Sequence, residues 1–151
     1  MLSEVIKKDY IQLNVEAENF EDAIRQAAQP LLDNGAICQE YVDKIVEIYK
    51  ETGPYIVITE NVALPHAPKE FGAKELAVGL TILKQPVNSG HESNDPVKFL
   101  FSLSSPDSHQ HLESITNLVN LLSQPEFLNE LTQANDQDAI TEIIRKFEGE
   151  N

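Results

Sequence analysis

Cysteine is almost absent from this chain, since Cys38 is the only one among 151 residues. A single thiol cannot form an intramolecular disulfide, which fits a reducing compartment. Cys38 follows Ala36 and Ile37, and this apolar setting is typical of a buried packing residue. A nucleophilic thiol is the alternative interpretation.

Basic residues are scarce: Lys and Arg number 11 against 25 Asp and Glu, which gives a formal net charge of −14. This excess of acid argues against nucleic-acid binding, which needs a basic surface, and against binding to an anionic membrane surface. An acidic surface instead favours solubility and partners with a basic face.

Long apolar runs are missing as well. No stretch of the sequence approaches the roughly 18 apolar residues of a membrane span, and the N-terminal segment is too polar for a signal peptide. We therefore expect a cytoplasmic protein without direct membrane insertion, folded as a single domain over residues 1–151.

Motifs of common nucleotide and hydrolase sites are absent from the sequence. It contains no GxxxxGK[ST], no GxGxxG after a strand pattern and no GxSxG. A P-loop nucleotide site and a dinucleotide site are therefore not expected. Any phosphoryl chemistry must use a donor other than a nucleotide bound in those ways.

What the sequence does contain is an alternation of strand and helix patterns, which predicts an α/β fold with helices packed against a sheet. The predicted strands cover residues 10–15, a pair within 56–64, then 76–83 and 97–103, with a loop over 86–96. The predicted helices are a short one capped by Ser3, then 19–34, 39–51, one starting at Ser108, 125–131 and 136–147. Residues 148–151 are expected to fray.

Three of these helices carry specific expectations. Asn19 and Asp136 are predicted N-caps, because short polar side chains accept hydrogen bonds from the free N–H groups of a first turn. Pro30 is expected to kink the helix over 19–34. In the helix after Ser108, the apolar residues expected to share one buried face are Leu112, Ile115, Leu118, Val119 and Leu122.

His66 is the first candidate functional residue, and it follows Pro65 at the end of the 56–64 strand pair. A proline cannot donate to a sheet ladder, so His66 is expected where the chain leaves the sheet. A histidine held there can present one ring nitrogen to a partner. The alternative is an ordinary surface-loop histidine.

His111 is the second candidate. If Ser108 is the N-cap, His111 occupies the third helical position, near free N–H groups that attract anions. The helix dipole favours the neutral ring, which can donate a hydrogen bond to phosphate. The preceding strand ends near Leu103, and ligands often bind at such strand-to-helix turns. The alternative is a solvated first-turn histidine.

A metal site is a competing interpretation of the histidines, with His91, His109 and His111 as ligands. Residues two apart on a helix do not share a face, which separates His109 from His111. The sequence also has neither a cysteine cluster nor HExxH spacing. We therefore expect no metal.

Two segments of the sequence together resemble a known protein family. The segment Val-Ala-Leu-Pro-His-Ala at 62–67, followed about 45 residues after His66 by His111-Leu112 at the start of an amphipathic helix, resembles the enzyme IIA domain of the mannitol–fructose class. These domains are components of the phosphoenolpyruvate-dependent sugar phosphotransferase system. The resemblance extends from about residue 3 to residue 147. Residues 53–58 and 86–97 most resemble the ascorbate-type branch.

This resemblance implies a mixed β-sheet flanked by α-helices, the mannitol-type enzyme IIA fold. It implies that His66 accepts a phosphoryl group from phospho-HPr and passes it to a cysteine of enzyme IIB, which serves the membrane enzyme IIC. His111 would lie beside the phosphate, with Ser108 at the helix start also holding it. No metal, nucleotide or other cofactor is implied, because catalysis consists of positioning and charge stabilisation. Ascorbate and a pentitol-like compound are the candidate substrates.

One departure from the family concerns basic residues. Mannitol- and fructose-type members carry an arginine upstream of the active histidine, and residues 49–53 contain none. Lys50 is the candidate replacement, although an ammonium cannot reproduce the guanidinium fork. Pro68 likewise stands where members of the family often have a basic residue.

Two functions fit the resemblance. One is a transport phosphocarrier, and the other is a regulatory module in which the phosphorylation state of His66 controls a partner protein. Regulatory versions are often joined to DNA-binding or antiterminator domains, and these 151 residues include none. The transport component is therefore the expected function.

Overall fold

The computed structural model describes residues 1–149, which form five β-strands and six α-helices. In chain order these are α1 Leu2–Val5, β1 Ile11–Val15, α2 Phe20–Asp33, α3 Gln39–Thr52, β2 Val57–Thr59, β3 Val62–Ala63, β4 Ala77–Val87, β5 Val97–Ser104, α4 Ser108–Leu122, α5 Phe127–Gln133 and α6 Gln137–Phe147. Two short 3-10 turns, Lys8–Tyr10 and Lys69–Phe71, precede β1 and β4.

The strands form one mixed sheet in the order β1-β4-β5-β3-β2. The pairs β4 with β5, inside the sheet, and β2 with β3, at one edge, are antiparallel. The pairs β1 with β4 and β3 with β5 are parallel. Strands β4 and β5 are buried along most of their length, which explains their nearly continuous apolar sequences. The expected mixed sheet flanked by helices is confirmed.

Each face of the sheet carries its own hydrophobic core. One core joins the sheet to α2 and α3 through residues such as Phe20, Ile24 and Ile45. The other joins the sheet to α4, α5 and α6 through residues such as Leu118 and Phe127. Helices cover both faces, so functional side chains must lie at a strand end or at the outer surface of a helix.

The predicted caps of α2 and α6 are confirmed. The Asn19 side chain accepts from the Asp22 N–H at 2.8 Å, and the Asp136 side chain accepts from the Ala139 N–H at 2.8 Å. These contacts span three residues, so the local sequence alone determines them.

Pro30 lies inside the continuous helix α2 and is buried. Proline has no N–H, so the carbonyl of Gln26 loses its partner within the helix. The Gln12 side chain from β1 donates to that carbonyl at 2.8 Å. A side chain on the neighbouring strand therefore compensates for the proline.

Several predicted boundaries were wrong. Helix α1 is preceded by Met1 without a side-chain cap, so Ser3 is not its cap. Strand β4 continues to Val87, into the segment predicted as a loop, because it pairs with β5 as far as Val97. Of the tail predicted to fray, Glu148 accepts hydrogen bonds from the N–H groups of Leu2 and Ser3 at 2.7 and 3.0 Å. Residues 150–151, also part of that prediction, lie outside the described residues.

The buried face of α4 also differs from the prediction. Leu118 is buried, but Leu112 is 64% exposed and Val119 is 51% exposed. Ser114 and Leu121 are buried in their place. The apolar residues of α4 thus divide between two faces, and Leu112 with Val119 form an apolar strip on its outer surface. Within residues 1–149, no helix is long and apolar enough to cross a bilayer.

Tyr41 connects α3 to the ends of two strands. Its hydroxyl donates to the Leu103 carbonyl at 2.8 Å and accepts from the Ala67 N–H at 3.2 Å, and the side chain is only 2% exposed. The phenol thereby fixes the segment that follows His66 to the end of β5.

We expect Tyr41→Phe to lower the free energy of unfolding by about 1–3 kcal/mol, because both backbone groups would remain buried without a partner. Urea denaturation measures this loss. Tyr55→Phe is the control, since its hydroxyl bonds to backbone at a half-exposed site where water can replace it. Equal losses of unfolding free energy in Tyr41→Phe and Tyr55→Phe would contradict this stabilising role of the Tyr41 hydroxyl.

A candidate phosphoryl-transfer cleft

The parallel pairing of β3 with β5 brings the two candidate histidines together. Val62 aligns with Phe99 and Ala63 with Leu100, and the Leu103 N–H donates to the Pro65 carbonyl at 3.0 Å just beyond β3. Parallel strands end at the same edge of a sheet, so the chain leaving β3 and the chain leaving β5 emerge side by side. The first of these carries His66, and the second leads into α4 and His111.

His66 has a defined ring orientation. Its Nδ1 lies 2.6 Å from the carbonyl oxygen of Leu64, two residues earlier in the chain. A carbonyl only accepts hydrogen bonds, so Nδ1 carries the proton and donates it. The lone pair of the neutral ring is therefore on Nε2, which has no hydrogen-bond partner within residues 1–149. His66 is half-buried, so part of its ring is open to solvent.

Tyr55 holds the backbone at the same residue. Its hydroxyl donates to the His66 carbonyl at 2.7 Å, and its ring centroid lies 5.9 Å from that of His66. Burial, with a smaller effect of Tyr41, raises the pKa of Tyr55 to about 12. The phenol therefore stays protonated at physiological pH and remains a hydrogen-bond donor.

The His111 ring lies beside His66, with ring centroids 5.7 Å apart and planes at 53°. Burial lowers the pKa of His111, and the neighbouring His66 lowers it further. A neutral imidazole is thus favoured at neutral pH; the sequence predicted this direction from the helix dipole, whereas the causes found here are burial and His66. The neutral ring can donate one hydrogen bond without adding a fixed positive charge.

This lowered pKa predicts a pH dependence of stability. The unfolded chain takes up a proton on His111 near the ordinary value of 6.5, before the folded protein does. The contribution of His111 to stability is therefore present above pH 6.5 and declines as the pH falls through the folded-state pKa.

We expect the wild-type protein to lose stability relative to His111→Gln as the pH falls from 7.5 to 5. Urea denaturation at each pH measures the difference, and glutamine does not titrate. If the difference in unfolding free energy between the wild type and His111→Gln stayed constant with pH, the lowered pKa of His111 would be contradicted.

The two histidines lie in a cleft of about 460 Å³, which we call the histidine cleft. Its lining includes Tyr55, Lys69, Ser105 and Ser108 as well as the histidines. The Lys69 Nζ lies 3.0 Å from the Ser108 Oγ. The cleft thus combines a ring nitrogen that has no hydrogen-bond partner among the described residues with hydrogen-bond donors, a lysine and a helix N-terminus.

The start of α4 differs by one residue from the prediction. Asp107, rather than Ser108, is the N-cap, and its carboxylate accepts from the Gln110 N–H at 3.2 Å. Ser108 is therefore the first helical residue, and His111 is the fourth. The N–H groups of Ser108 and His109 have no acceptor within residues 1–149, so the helix start still offers two donors to an anion.

The structure does not bring Lys50 to the cleft. Its Nζ pairs with the Glu21 carboxylate at 3.0 Å, between α3 and α2, and Lys50 is not among the described residues lining the cleft.

Among the histidines of the competing metal interpretation, His109 is 85% exposed and lies 3.9 Å from Glu113. His91 accepts from the Asn94 N–H within its own loop at 3.3 Å.

Sequence reasoning did not identify two residues of the cleft, Tyr55 and Lys69. Lys69 is three residues after His66, and this proximity was a signal that could have found it. Tyr55 is eleven residues before His66, and only the pairing of β2 with β3 brings it there.

Comparisons with known proteins agree with this architecture. The solution structure of the mannitol-specific cryptic phosphotransferase enzyme IIA from Escherichia coli superposes with a TM-score of 0.86 at 31% identity, covering 96% of this chain and 98% of that one. Enzyme IIAMTL from Escherichia coli, solved in complex with phosphorylated enzyme IIBMTL, has the same fold, with a TM-score of 0.80 at 23% identity over 93% and 97% of the two chains. The predicted mannitol-type fold is confirmed.

The sequence matches support the same family. The ascorbate-specific PTS system EIIA component of Shigella boydii serotype 4 is 30% identical over 135 residues, covering 89% of this chain and 88% of that protein. The family model described as "Phosphoenolpyruvate-dependent sugar phosphotransferase system, EIIA 2" matches residues 4–147. The chain therefore belongs to the EIIA 2 family of the phosphoenolpyruvate-dependent sugar phosphotransferase system.

Proposed function

We propose that this protein is a cytoplasmic phosphocarrier, which accepts a phosphoryl group from phospho-HPr on Nε2 of His66 and passes it to a cysteine of enzyme IIB. Enzyme IIB would then serve a membrane enzyme IIC that takes up a carbohydrate. The observation that carries the proposal is the 2.6 Å contact from His66 Nδ1 to the Leu64 carbonyl, which leaves Nε2 as the nucleophilic nitrogen beside His111.

The transfer step needs only this nitrogen and a correctly placed donor. The Nε2 lone pair forms the new bond to phosphorus, the bond between phosphorus and the donor breaks, and its electron pair returns to the donor. The His66 ring gains positive character as the bond forms. The Leu64 carbonyl, already accepting from Nδ1, stabilises that charge.

The phosphoryl group also needs stabilisation of its own charge. His111 lies close enough to donate to an equatorial oxygen, and its lowered pKa keeps it neutral until the anion arrives. The free N–H groups of Ser108 and His109 form the positive end of the α4 dipole, which also attracts the phosphoryl anion. In the second step a thiolate of enzyme IIB attacks phosphorus, and the electron pair returns to Nε2.

The test is reconstitution with phosphoenolpyruvate, enzyme I and HPr, followed by mass spectrometry of the intact protein. We expect a gain of one phosphoryl group that is lost in acid and is transferred when enzyme IIB is added. No mass gain while HPr itself becomes phosphorylated would overturn the proposal.

The docking surface for phospho-HPr is proposed to be the exposed apolar strip next to the cleft. Leu112 directly follows His111, and Val119 lies two turns further along the same outer face of α4. Ile58 of β2 is 38% exposed and lines a shallow depression together with Val119. A phosphocarrier must place its donor over His66, and this strip adjoins that residue's cleft.

We expect Val119→Glu to raise the KM for phospho-HPr at least tenfold with little change in the rate at saturation, because a charge would be desolvated on docking. The matched control is Thr132→Glu, at an exposed position of α5. An unchanged KM in the Val119 variant would exclude the strip as the docking surface.

A further inference from the structure

The histidine cleft contains an unpaired cation. Lys69 is the only lysine or arginine among the described residues that line it. Its Nζ lies 3.0 Å from the hydroxyl of Ser108, a neutral group, and no carboxylate lies within ion-pair distance of it in residues 1–149. Within residues 1–149, five of the nine lysines form an ion pair with a carboxylate, and Lys50 is one of them.

The position of Lys69 is fixed by its local structure. It begins the 3-10 turn Lys69–Phe71, which starts three residues after His66. The Phe71 carbonyl accepts from the Cys38 thiol at 3.3 Å, and the Lys44 Nζ lies 4.6 Å from the Phe71 ring centroid. Gly72 packs so closely on Cys38 that an added Cβ would overlap the sulfur. The turn is therefore held against α3, and Lys69 extends from it across the cleft to α4.

Charge balance gives this lysine a role. A phosphoryl group on His66 brings negative charge beside the Glu70 carboxylate, which also lines the cleft. His111 is held neutral, and the helix N-terminus supplies only a partial charge. A full positive charge in the cleft would offset the repulsion, and the Lys69 ammonium, which contacts Ser108 at the start of α4, supplies that charge.

We propose that Lys69 is the cation that contacts the phosphoryl group on His66, taking the place that sequence comparison had given to Lys50. This inference rests on the proposed phosphocarrier function. Before transfer the ammonium donates to the Ser108 hydroxyl. When the phosphoryl group arrives, the ammonium moves to a phosphoryl oxygen, because the flexible lysine stem can reorient within the cleft.

The test measures single-turnover transfer from phospho-HPr over a range of donor concentrations for four proteins. Lys69→Met removes the charge and keeps the length, and Lys69→Arg keeps the charge. Lys74→Met is the matched control, since Lys74 is an exposed lysine outside the cleft. We expect Lys69→Met to lower the saturated rate roughly 10- to 100-fold, Lys69→Arg to retain most of it and Lys74→Met to match the wild type.

A second readout separates direct contact from a structural effect. The phosphorus NMR shift of the phosphorylated protein, followed against pH, gives the pKa of the phosphoryl group itself. A lysine in contact favours the dianion, so this pKa should be higher in Lys69→Met than in the wild type and unchanged in Lys74→Met.

The outcomes are distinct. A wild-type protein that takes up no phosphoryl group overturns the phosphocarrier function and this inference together. A wild-type protein that is phosphorylated, with a Lys69→Met variant of equal rate and equal phosphoryl pKa, overturns the role of Lys69 alone.

Discussion

His66→Ala is expected to accept no phosphoryl group from phospho-HPr while keeping its fold. The half-buried ring lies at the end of β3, outside both hydrophobic cores, so its removal leaves the packing intact. The variant loses the only nitrogen that the Leu64 contact orients for attack. Intact mass after incubation with phosphoenolpyruvate, enzyme I and HPr measures acceptance, and thermal unfolding measures the fold.

His66→Asn sharpens this test. The asparagine amide can still donate to the Leu64 carbonyl, so the local hydrogen bond is kept while the nucleophilic nitrogen is lost. We expect this variant to be as inactive as the alanine variant and closer to the wild type in stability. Phosphorylation of either variant at wild-type stoichiometry would show that another residue is the acceptor.

His111→Ala is expected to slow phosphoryl transfer by about 10²–10³-fold without removing the acceptor, the size of effect seen when one preorganised donor is lost. The His111 ring centroid is 5.7 Å from that of His66, so in the proposed mechanism the His111 ring is a neighbour of the phosphoryl group. Rapid-quench kinetics at saturating phospho-HPr measures the rate, and the final stoichiometry should remain one.

Two variants accompany this measurement. His111→Gln retains an N–H donor on a side chain of similar length, so its rate should lie between those of the alanine variant and the wild type. His109→Ala, at an 85% exposed position in the same turn, should transfer at the wild-type rate. A His111→Ala rate equal to that of His109→Ala would remove His111 from the mechanism.

Local interactions made much of the fold predictable. The caps at Asn19 and Asp136 depend on contacts three residues apart, and the apolar sequences of β4 and β5 indicate burial on both faces. The start of α4 was less certain because Asp107 and Ser108 can both cap a helix. Asp107 has the extended backbone of a cap, and the Ser105 hydroxyl donates to its carbonyl at 2.7 Å.

Other features of the fold and of the cleft depend on long-range contacts, which could not be predicted from the sequence. Helix α4 carries apolar residues on more than one face, and its packing against the sheet, α1 and α5 selects which face is buried. Leu112 and Val119 therefore appeared to be core residues and are exposed. Likewise, the meeting of His66 with His111 depends on the parallel pairing of β3 with β5, which no local pattern specifies.

Lys50 and Lys69 show that side-chain positions at the site also depend on long-range contacts. Lys50 lies in the region where the family has an arginine, but a carboxylate on the neighbouring helix α2 pairs with it. Lys69 lies on a short turn with no helix or strand pattern, yet that turn faces the start of α4. Which flexible side chain reaches a site depends on the elements around it, so sequence position alone was misleading.

Long-range proton–nitrogen NMR of the phosphorylated protein with ¹⁵N-labelled histidine identifies the acceptor nitrogen directly. We expect a phosphoryl group on Nε2 of His66, with Nδ1 still protonated and bonded to the Leu64 carbonyl. A phosphoryl group on Nδ1 of His66, or on any other residue, would show that Nε2 of His66 is not the acceptor.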